Sequence, residues 1–322
     1  MADLIGEARS RDDRGQIVLL VGFTLAVLFV ALALILNSAI YAENLATRSE
    51  TGAGDGPISV RNEVQSGTAS ILDFVNTYNN TAASHVTDNL TAAVEDYREI
   101  AGRRAAVDGR LVNVSIESIA MGSRLGQTNA TRNLTRRDGT ANWTLASGVH
   151  ARSLVFDIED NRTSSTSCSP GGKCFQLNAT SGGDVWRMAV YENSTDMVVE
   201  VEGVDGTVAT CSPSPDGSTR ASIDLAAGTI DGTACPALRT SMPGPPYDLE
   251  VVHGDLATGT FEVIVDDDTI ATSPDPDRYF GPTASESPRV THAAYATEIR
   301  ITQRSERIVY NGTVRVAPGE WP

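Results

Sequence analysis

An unbroken apolar run near the N-terminus, residues 17–36 of the 322-residue chain, constrains this sequence more than any other feature. Its twenty residues include one weakly polar side chain, Thr24. A helix rises about 1.5 Å per residue, so the run is roughly 30 Å long, the thickness of a bilayer's hydrocarbon core. A secretory signal has a shorter apolar region, of about 7–15 residues, followed by a small-residue cleavage site. The stretch "NSAIYAEN" that follows has no convincing cleavage site, so we predict a transmembrane helix over residues 16–42.

The charges that flank this run predict its orientation. Arg9, Arg11 and Arg14 precede it, and the first basic residue after it is Arg48. Cytoplasmic flanks of membrane helices carry an excess of Lys and Arg. We therefore expect a single-pass protein of the cell membrane, with its N-terminus in the cytoplasm and the chain beyond about residue 42 outside the cell.

Asn-x-Ser/Thr sequons support export of the long C-terminal part. Ten of the fourteen asparagines beyond residue 42 begin such a sequon. N-linked glycans are attached only to exported chains, at exposed positions. We predict glycosylation at these ten asparagines: Asn79, Asn89, Asn113, Asn129, Asn133, Asn142, Asn161, Asn178, Asn193 and Asn311.

The charge composition indicates the setting and excludes one class of partner. The net charge is −16, and Lys173 is the only lysine. An acidic, Lys-poor chain with few large aromatics resembles proteins of extremely halophilic archaea, in which carboxylates keep the surface hydrated while salt screens their repulsion. Nucleic-acid binding requires a basic stripe, and the short patch "RNLTRRDG" is not one.

Four cysteines lie in the part predicted to be exported: Cys168, Cys174, Cys211 and Cys235. An even number of cysteines in an oxidising compartment favours disulfides over metal ligation or free thiols. The turn sequence "CSPGGKC" makes Cys168–Cys174 the natural local pair, which leaves Cys211 for Cys235. Zinc is the competing use, but the sequence has no Cys-x-x-Cys motif and no nearby histidine.

Two periodicities divide the exported part. Apolar residues recur at helical spacing on both sides of "NNTAAS", which predicts two amphipathic helices that pack as a hairpin or against the next domain. From about residue 110 the period becomes two, in ten short strand candidates: residues 110–119, 152–159, 173–180, 184–192, 196–203, 221–230 ("ASIDLAAGTI"), 247–254, 259–266, 296–304 and 307–317. Two adjacent pairs predict hairpins, residues 185–191 with 197–202 and 298–304 with 307–317.

These patterns predict an α+β protein with an N-terminal transmembrane helix, an amphipathic helical block and a mainly antiparallel, sandwich-like β ectodomain. The predicted segments are a cytoplasmic leader over residues 1–15, a transmembrane or assembly helix over 16–42, a helical stalk over 43–107 and a β-rich extracellular domain over 108–322. Whether the β-rich part forms one sandwich or two is left open by the sequence.

The sequence contains no catalytic motif that we can identify. It has no Gly-x-Ser-x-Gly, no His-Glu-x-x-His and no phosphate-binding loop. Its four histidines, His85, His150, His253 and His292, are far apart. The loop "VDDDTIATSPDPD" offers clustered carboxylates for calcium, but in so acidic a chain a solvated loop is the favoured interpretation. We therefore predict a protein that is not an enzyme, with no cofactor, no metal and no small-molecule substrate.

The stretch "DRGQIVLL" adds a resemblance to a known family. A charged leader, Arg14, Gly15 and Gln16, followed by an apolar helix, resembles the class III signal of archaeal type IV pilins and archaellins. The "RGQ" start is also similar to that of bacterial tight-adherence pseudopilins. More broadly, "RGQ", "NSAIYAENLATR" and "ANWTLA" resemble uncharacterised haloarchaeal pilin-like membrane proteins. The resemblance implies that a prepilin peptidase cuts between Gly15 and Gln16, and that residues 17–36 become the assembly helix.

The combined expectation is a membrane-anchored extracellular glycoprotein whose partners are the lipid bilayer, a prepilin peptidase and other pilin-like subunits. The exported part, of about 280 residues, is large for a major pilin, which favours a minor or accessory subunit of a type IV pilus-like assembly. Two alternatives stay open. One is a plain anchored surface protein outside any filament, and the other is a tethered extracellular hydrolase.

Overall fold

The computed structural model describes residues 56–159, 173–193, 196–212, 220–239, 242–306 and 308–319, together with residues 25, 29 and 168. The chain divides into two compact units, Met1–Val60 and Arg61–Pro322. The second unit contains the sheets, and the fold is α+β and rich in antiparallel β-structure.

Two long helices precede the strands, as the helical periodicity predicts. The described part of the first, α1, covers residues 56–77. A break follows in which Asn79 has a φ of 55°, the left-handed conformation that asparagine tolerates at helix ends. The second helix, α2, covers Ala83–Val107.

The two helices pack together as a hairpin and also against a sheet. A Cβ atom on Gly67 of α1 would lie 2.8 Å from the Tyr97 ring of α2, so this close approach requires glycine. The α2 residues Val86, Leu90 and Val94 are buried, and α2 packs on strands β1 and β13. From residue 61 onward, the helices predicted as a stalk therefore lie in the same compact unit as the sheets.

Within the described residues the strands form two sheets. Sheet A has eight strands in the order β10-β9-β8-β3-β12-β1-β13-β14, and sheet B has six in the order β2-β11-β4-β5-β6-β7. All the strand pairings in both sheets are antiparallel. The strands are β1 (Leu111–Gln127), β2 (Trp143–Val149), β3 (Ala151–Glu159), β4 (Phe175–Ser181), β5 (Asp184–Asn193), β6 (Asp196–Glu202), β7 (Val208–Cys211), β8 (Arg220–Asp224), β9 (Thr229–Ile230), β10 (Thr233–Ala234), β11 (Tyr247–Val252), β12 (Thr258–Val265), β13 (Arg289–Arg304) and β14 (Val309–Val316). A short third helix, α3, covers Thr269–Thr272.

The two sheets enclose one hydrophobic core. Phe156 and Phe261 of sheet A lie in the same buried cluster as Phe175 and Trp186 of sheet B, and the Phe156 ring lies 6.1 Å from the Phe175 ring. The described residues thus form one sandwich, with the helices on the outer side of sheet A. This arrangement answers the question of one sandwich or two, which the sequence left open.

Each of the ten strand candidates contains an observed strand, and both predicted hairpins are present as β5–β6 and β13–β14. Three short strands, β2, β7 and β10, lie outside all of the candidates. The candidate "ASIDLAAGTI" holds two strands, β8 and β9, because a turn separates them. Strands β1 and β13 are 17 and 16 residues long, well beyond the alternating segments that predicted them.

Neighbouring strands of sheet A overlap over only part of their length. Strand β12 pairs with β1 only over residues 123–127, and β14 pairs with β13 only over residues 297–304. We call the three-stranded part that extends beyond the sandwich the arm; it comprises residues 111–119, 297–304 and β14. Its helix-facing residues Val114, Ile299 and Ile301 are buried, and Gly102 of α2 lies close to the Val112 carbonyl.

Candidate functional site

A cavity of about 290 Å³ lies between the second half of α1, the helix-facing side of sheet A and residues 318–319. It brings together ionisable side chains from elements that are distant in sequence. Its polar side chains are Asp73 and Asn76 of α1, Arg152 and Ser153 of β3, Asp224 of β8 and Tyr295 of β13.

Arg152 is held in place at the wall of this cavity. Its side chain is 11% exposed and forms an ion pair with Asp266 at 3.5 Å. Its guanidinium group lies 5.1 Å from the centre of the Tyr295 ring, within the range of a cation–π interaction. These contacts balance the buried positive charge, so Arg152 stabilises the region in which β3, β12 and β13 approach α1.

Asp73 is a cavity carboxylate whose pKa is shifted. Burial against the sheet raises its pKa, and the negative charge of Glu262 raises it further. Glu262 itself forms an ion pair with Arg124, whose side chain is only 9% exposed. The carboxyl group of raised pKa therefore lies near the Arg124–Glu262 ion pair, of which Arg124 is the buried member.

The second carboxylate of the cavity has a structural contact. The Asp224 Oδ1 atom accepts a hydrogen bond from the backbone N–H of Ala227 at 2.8 Å, which stabilises the turn after β8. Sequence reasoning missed both Asp73 and Arg152, because neither lies in a motif and only the tertiary packing brings them together.

The basic patch "RNLTRRDG" lines a second cavity, of about 520 Å³, with Phe280. Arg132 donates hydrogen bonds to the carbonyl oxygens of Thr135 and Arg136 at 2.8 and 2.7 Å. Arg137 lies 4.1 Å from the centre of the Phe280 ring. These arginines therefore organise the chain around them.

The four histidines lie on separate elements. His85 is on α2, His150 precedes β3, His253 follows β11 and His292 is on β13. Ser123 lies directly opposite His292 in the sheet, but the fully buried Ser123 hydroxyl donates to the Asp267 carbonyl and accepts from the Ala271 N–H. This serine is engaged in structure and is closed to a substrate.

The aspartates of the loop after β12 are used in turns and ion pairs. Asp266 accepts from the His150 N–H at 2.8 Å and Asp267 from the Thr269 N–H at 2.8 Å. Asp275 forms an ion pair with Arg278 at 3.0 Å. Among the described residues, no group of three or more His, Cys, Asp or Glu side chains is arranged to hold a metal ion.

Both predicted disulfides are present. Cys168 is bonded to Cys174, and this pair packs with Tyr191 and Val198 in a small buried cluster separate from the main core. Cys211 at the end of β7 is bonded to Cys235, which follows β10. Because β7 and β10 are the edge strands of sheets B and A, this second disulfide joins the two layers of the sandwich.

The predicted glycosylation sites fall into several environments. Five sequon asparagines are exposed, namely Asn79, Asn113, Asn129, Asn142 and Asn311. Three are half-buried, namely Asn89, Asn133 and Asn178. Asn161 lies outside the described residues, and Asn193 ends β5 with a side chain that is not described.

The predicted leader and membrane span fall on a part of the chain that the structure hardly describes. Arg14, Gly15 and Gln16 lie outside the described residues, and the span over 16–42 is described only at Leu25 and Phe29. Within the described part of the chain, no helix combines the length and apolar character needed to cross a membrane.

Comparison with protein families gives one match. Residues 11–166 match the model of a family of unknown function (DUF7261). The matched segment includes the apolar run, both long helices and strands β1 to β3, just under half of the chain. No curated protein and no solved structure matches the chain significantly. The chain is therefore similar, over this N-terminal segment, to a family whose function is not established.

Proposed function

We propose that this protein is a membrane-anchored, exported surface glycoprotein of a halophilic archaeon, built as a minor or accessory subunit of a type IV pilus-like assembly. In this proposal residues 16–42 cross the membrane with residues 1–15 in the cytoplasm. The β-rich part lies outside the cell. The proposal assigns the protein no catalytic role and no cofactor.

The observation that carries the proposal is the pair of disulfides in the folded unit that follows the apolar run. Disulfides persist in oxidising, exported environments and are rare in reducing ones. Cys211–Cys235 joins the edges of two sheets, and Cys168–Cys174 closes a separate cluster. The five exposed sequon asparagines support the same compartment.

The pilus-like part of the proposal rests on the order of features in "RDDRGQIVLL", which the described residues do not include. A peptidase cut between Gly15 and Gln16 would remove the charged leader and keep the apolar helix, first as an anchor and then as a filament core. If the leader is retained, the same chain is a plain anchored surface protein.

N-terminal sequencing of the protein from its own cells tests this choice. We expect Gln16 as the first residue, and we expect Gly15→Val to block the cut while membrane insertion continues. A protein that begins at residue 1 or 2 would contradict assembly through a pilin-type peptidase. Protease added to intact cells tests topology separately: digestion of an N-terminal tag, with the β-rich part protected, would overturn the orientation.

A further inference from the structure

The arm carries two sequons in neighbouring positions of one face. Asn113 of β1 pairs with Thr302 of β13, and Thr302 pairs with Asn311 of β14. Directly paired residues of neighbouring strands point to the same side of a sheet. Strands lie about 4.8 Å apart, so the backbones at Asn113 and Asn311 are about 10 Å apart.

This face of the arm is open, whereas its opposite face is covered. Asn113 and Asn311 are exposed, but Val114 and Val314, which point the other way, are 1% and 3% exposed. The next row on the open face is also polar. There Ser115 and Thr313, which complete the two sequons, flank Arg300. The row on the other side pairs Arg304 with Leu111 and Val309, which are 69% and 71% exposed. The open face therefore has room for bulky hydrophilic groups, which would also cover this apolar surface.

We infer that Asn113 and Asn311 both carry N-linked glycans, and that this adjacent pair covers the open face of the arm and keeps it from pairing with other chains. The inference rests on the proposed export of the β-rich part. Among the five exposed sequon asparagines, the fold places these two side by side in neighbouring strands.

The position of β14 explains what glycans on Asn113 and Asn311 would do. It is the last strand of sheet A and is eight residues long. An exposed edge strand offers unpaired backbone groups to other chains, and proteins block such edges with charges, bulges or covering groups. Glycans are bulky and solubilising, so one on Asn311 and one on the strand two places away would hinder approach to this edge.

Asn178 provides the matched control, because it also begins an Asn-x-Thr sequon on a strand. It lies in β4, inside sheet B, between Glu250 of β11 and Arg187 of β5. Its Oδ1 atom is buried, and Arg187 donates to Glu202 at 2.8 Å beside it. A glycan on Asn178 would have to displace these packed side chains, so we expect it to be unmodified.

Glycopeptide mass spectrometry of the full-length protein from its own cells tests the modification. Trypsin separates the sites, since Asn113, Asn129, Asn178 and Asn311 fall in different peptides bounded by Arg or Lys. We expect glycans on the Asn113 and Asn311 peptides and none on the Asn178 peptide. Modified Asn129 with bare Asn113 and Asn311 would overturn this inference alone. Modification of Asn178 to the same extent would overturn selection by the fold, and a chain with no modified sequon would overturn the proposed glycoprotein as well.

Sedimentation analysis tests the shielding. The double variant Asn113→Gln/Asn311→Gln should shift toward dimers and larger species at a concentration at which the wild type and Asn129→Gln do not. Ser115→Ala/Thr313→Ala removes the same two sequons but keeps both asparagines. It should therefore shift toward dimers and larger species too, and it keeps the test valid if the Gln variant folds poorly. Folded variants that lack both glycans but sediment as the wild type does would overturn the shielding.

Discussion

The two halves of strand β1 lie in different surroundings, although they belong to one continuous strand. Residues 111–121 are exposed or half-buried except for Val114, whereas residues 122–127 are all buried. Residues 111–119 belong to the arm, which the helices cover on one face. The second half lies between the helices and sheet B, and Leu125 is part of the sandwich core.

The transition between these halves is marked by two irregularities in the pairing of β1 with β13. One lies between Ile116 and Ser118 and the other between Ala120 and Met121. A bulge adds a residue to one strand and changes its twist and direction. The difference between the halves shows that burial along a strand depends more on the layers that pack against it than on the strand's own sequence.

The largest expected difference between the halves concerns two leucines of β1. Leu125→Ala should lower the free energy of unfolding by about 2–5 kcal/mol, because a fully buried side chain leaves a cavity. Leu111→Ala, at a position 69% exposed, should change it by less than about 0.5 kcal/mol. Urea unfolding of the two variants, with disulfides intact, measures the contrast. Equal losses would show that the arm is covered on both faces.

The next effect concerns the edge of β13 that β14 leaves open. There the Asn76 side chain of α1 donates to the Ala294 carbonyl and accepts from the Ala294 N–H, both at 2.8 Å. Asn76→Ala should cost about 2–3 kcal/mol, because it leaves buried backbone groups unpaired. Thr77→Ala, at an exposed neighbouring position, should cost less than about 0.5 kcal/mol. Thermal unfolding of both variants tests this; a small loss for Asn76→Ala would mean that water replaces its contacts.

A smaller contrast is expected between two ion pairs of sheet A. Arg124, paired with Glu262, is 9% exposed, whereas Arg300 of the arm, paired with Glu117, is 51% exposed. Glu262→Gln should lower stability by about 1–2 kcal/mol, because it leaves a buried guanidinium without its counter-charge; the loss is smaller than for a fully buried pair because Glu262 is 35% exposed. Glu117→Gln should cost at most about 1 kcal/mol, and less at high salt. Denaturant unfolding at two salt concentrations separates the cases; similar losses and salt dependence would contradict the difference.

The smallest effect concerns Asp73 of α1, which lines the cavity on the helix-facing side of sheet A. Its raised pKa means that the folded state holds the proton more tightly than the unfolded state. The contribution of Asp73 to stability is therefore fully present below the ordinary value of 3.8 and is lost as the pH rises from 3.8 through the folded pKa. Asp73→Asn should remove this decrease and stabilise the protein at neutral pH by less than about 1 kcal/mol, since the group is partly exposed. Unfolding measured across this pH range tests the sign. Glu262→Gln should weaken the effect, because Glu262 contributes to the shift.

Local patterns in the sequence predicted much of the fold. The helical spacing of Val86, Leu90 and Val94 predicts α2 and its buried face, and period-two alternation predicts most of the strands. The β5–β6 and β13–β14 hairpins and the Cys168–Cys174 disulfide join residues close in sequence. The short distances involved explain why local reasoning could find them.

The candidate sites were less predictable. Asp73 and Arg152 come together only because α1 packs on the outer side of sheet A. The Asn113–Asn311 row depends on β1 and β14 both pairing with β13. Neither arrangement has a signal in the local sequence, because each depends on contacts between residues far apart in the chain.

The apolar run, the acidic composition and the sequons can be read directly from the sequence. The two helices and the alternation of most strands can be predicted from it, since each is a property of neighbouring residues. The length of β1 depends on tertiary contacts. Its segment "GSRLGQ" has no alternation, yet all six residues are buried between two layers. The tertiary structure also decided that Cys211–Cys235 joins the edges of two sheets and that Asn76 satisfies an open strand edge. The physical reason is that burial and edge pairing depend on which layers cover a segment, and those layers come from distant parts of the chain.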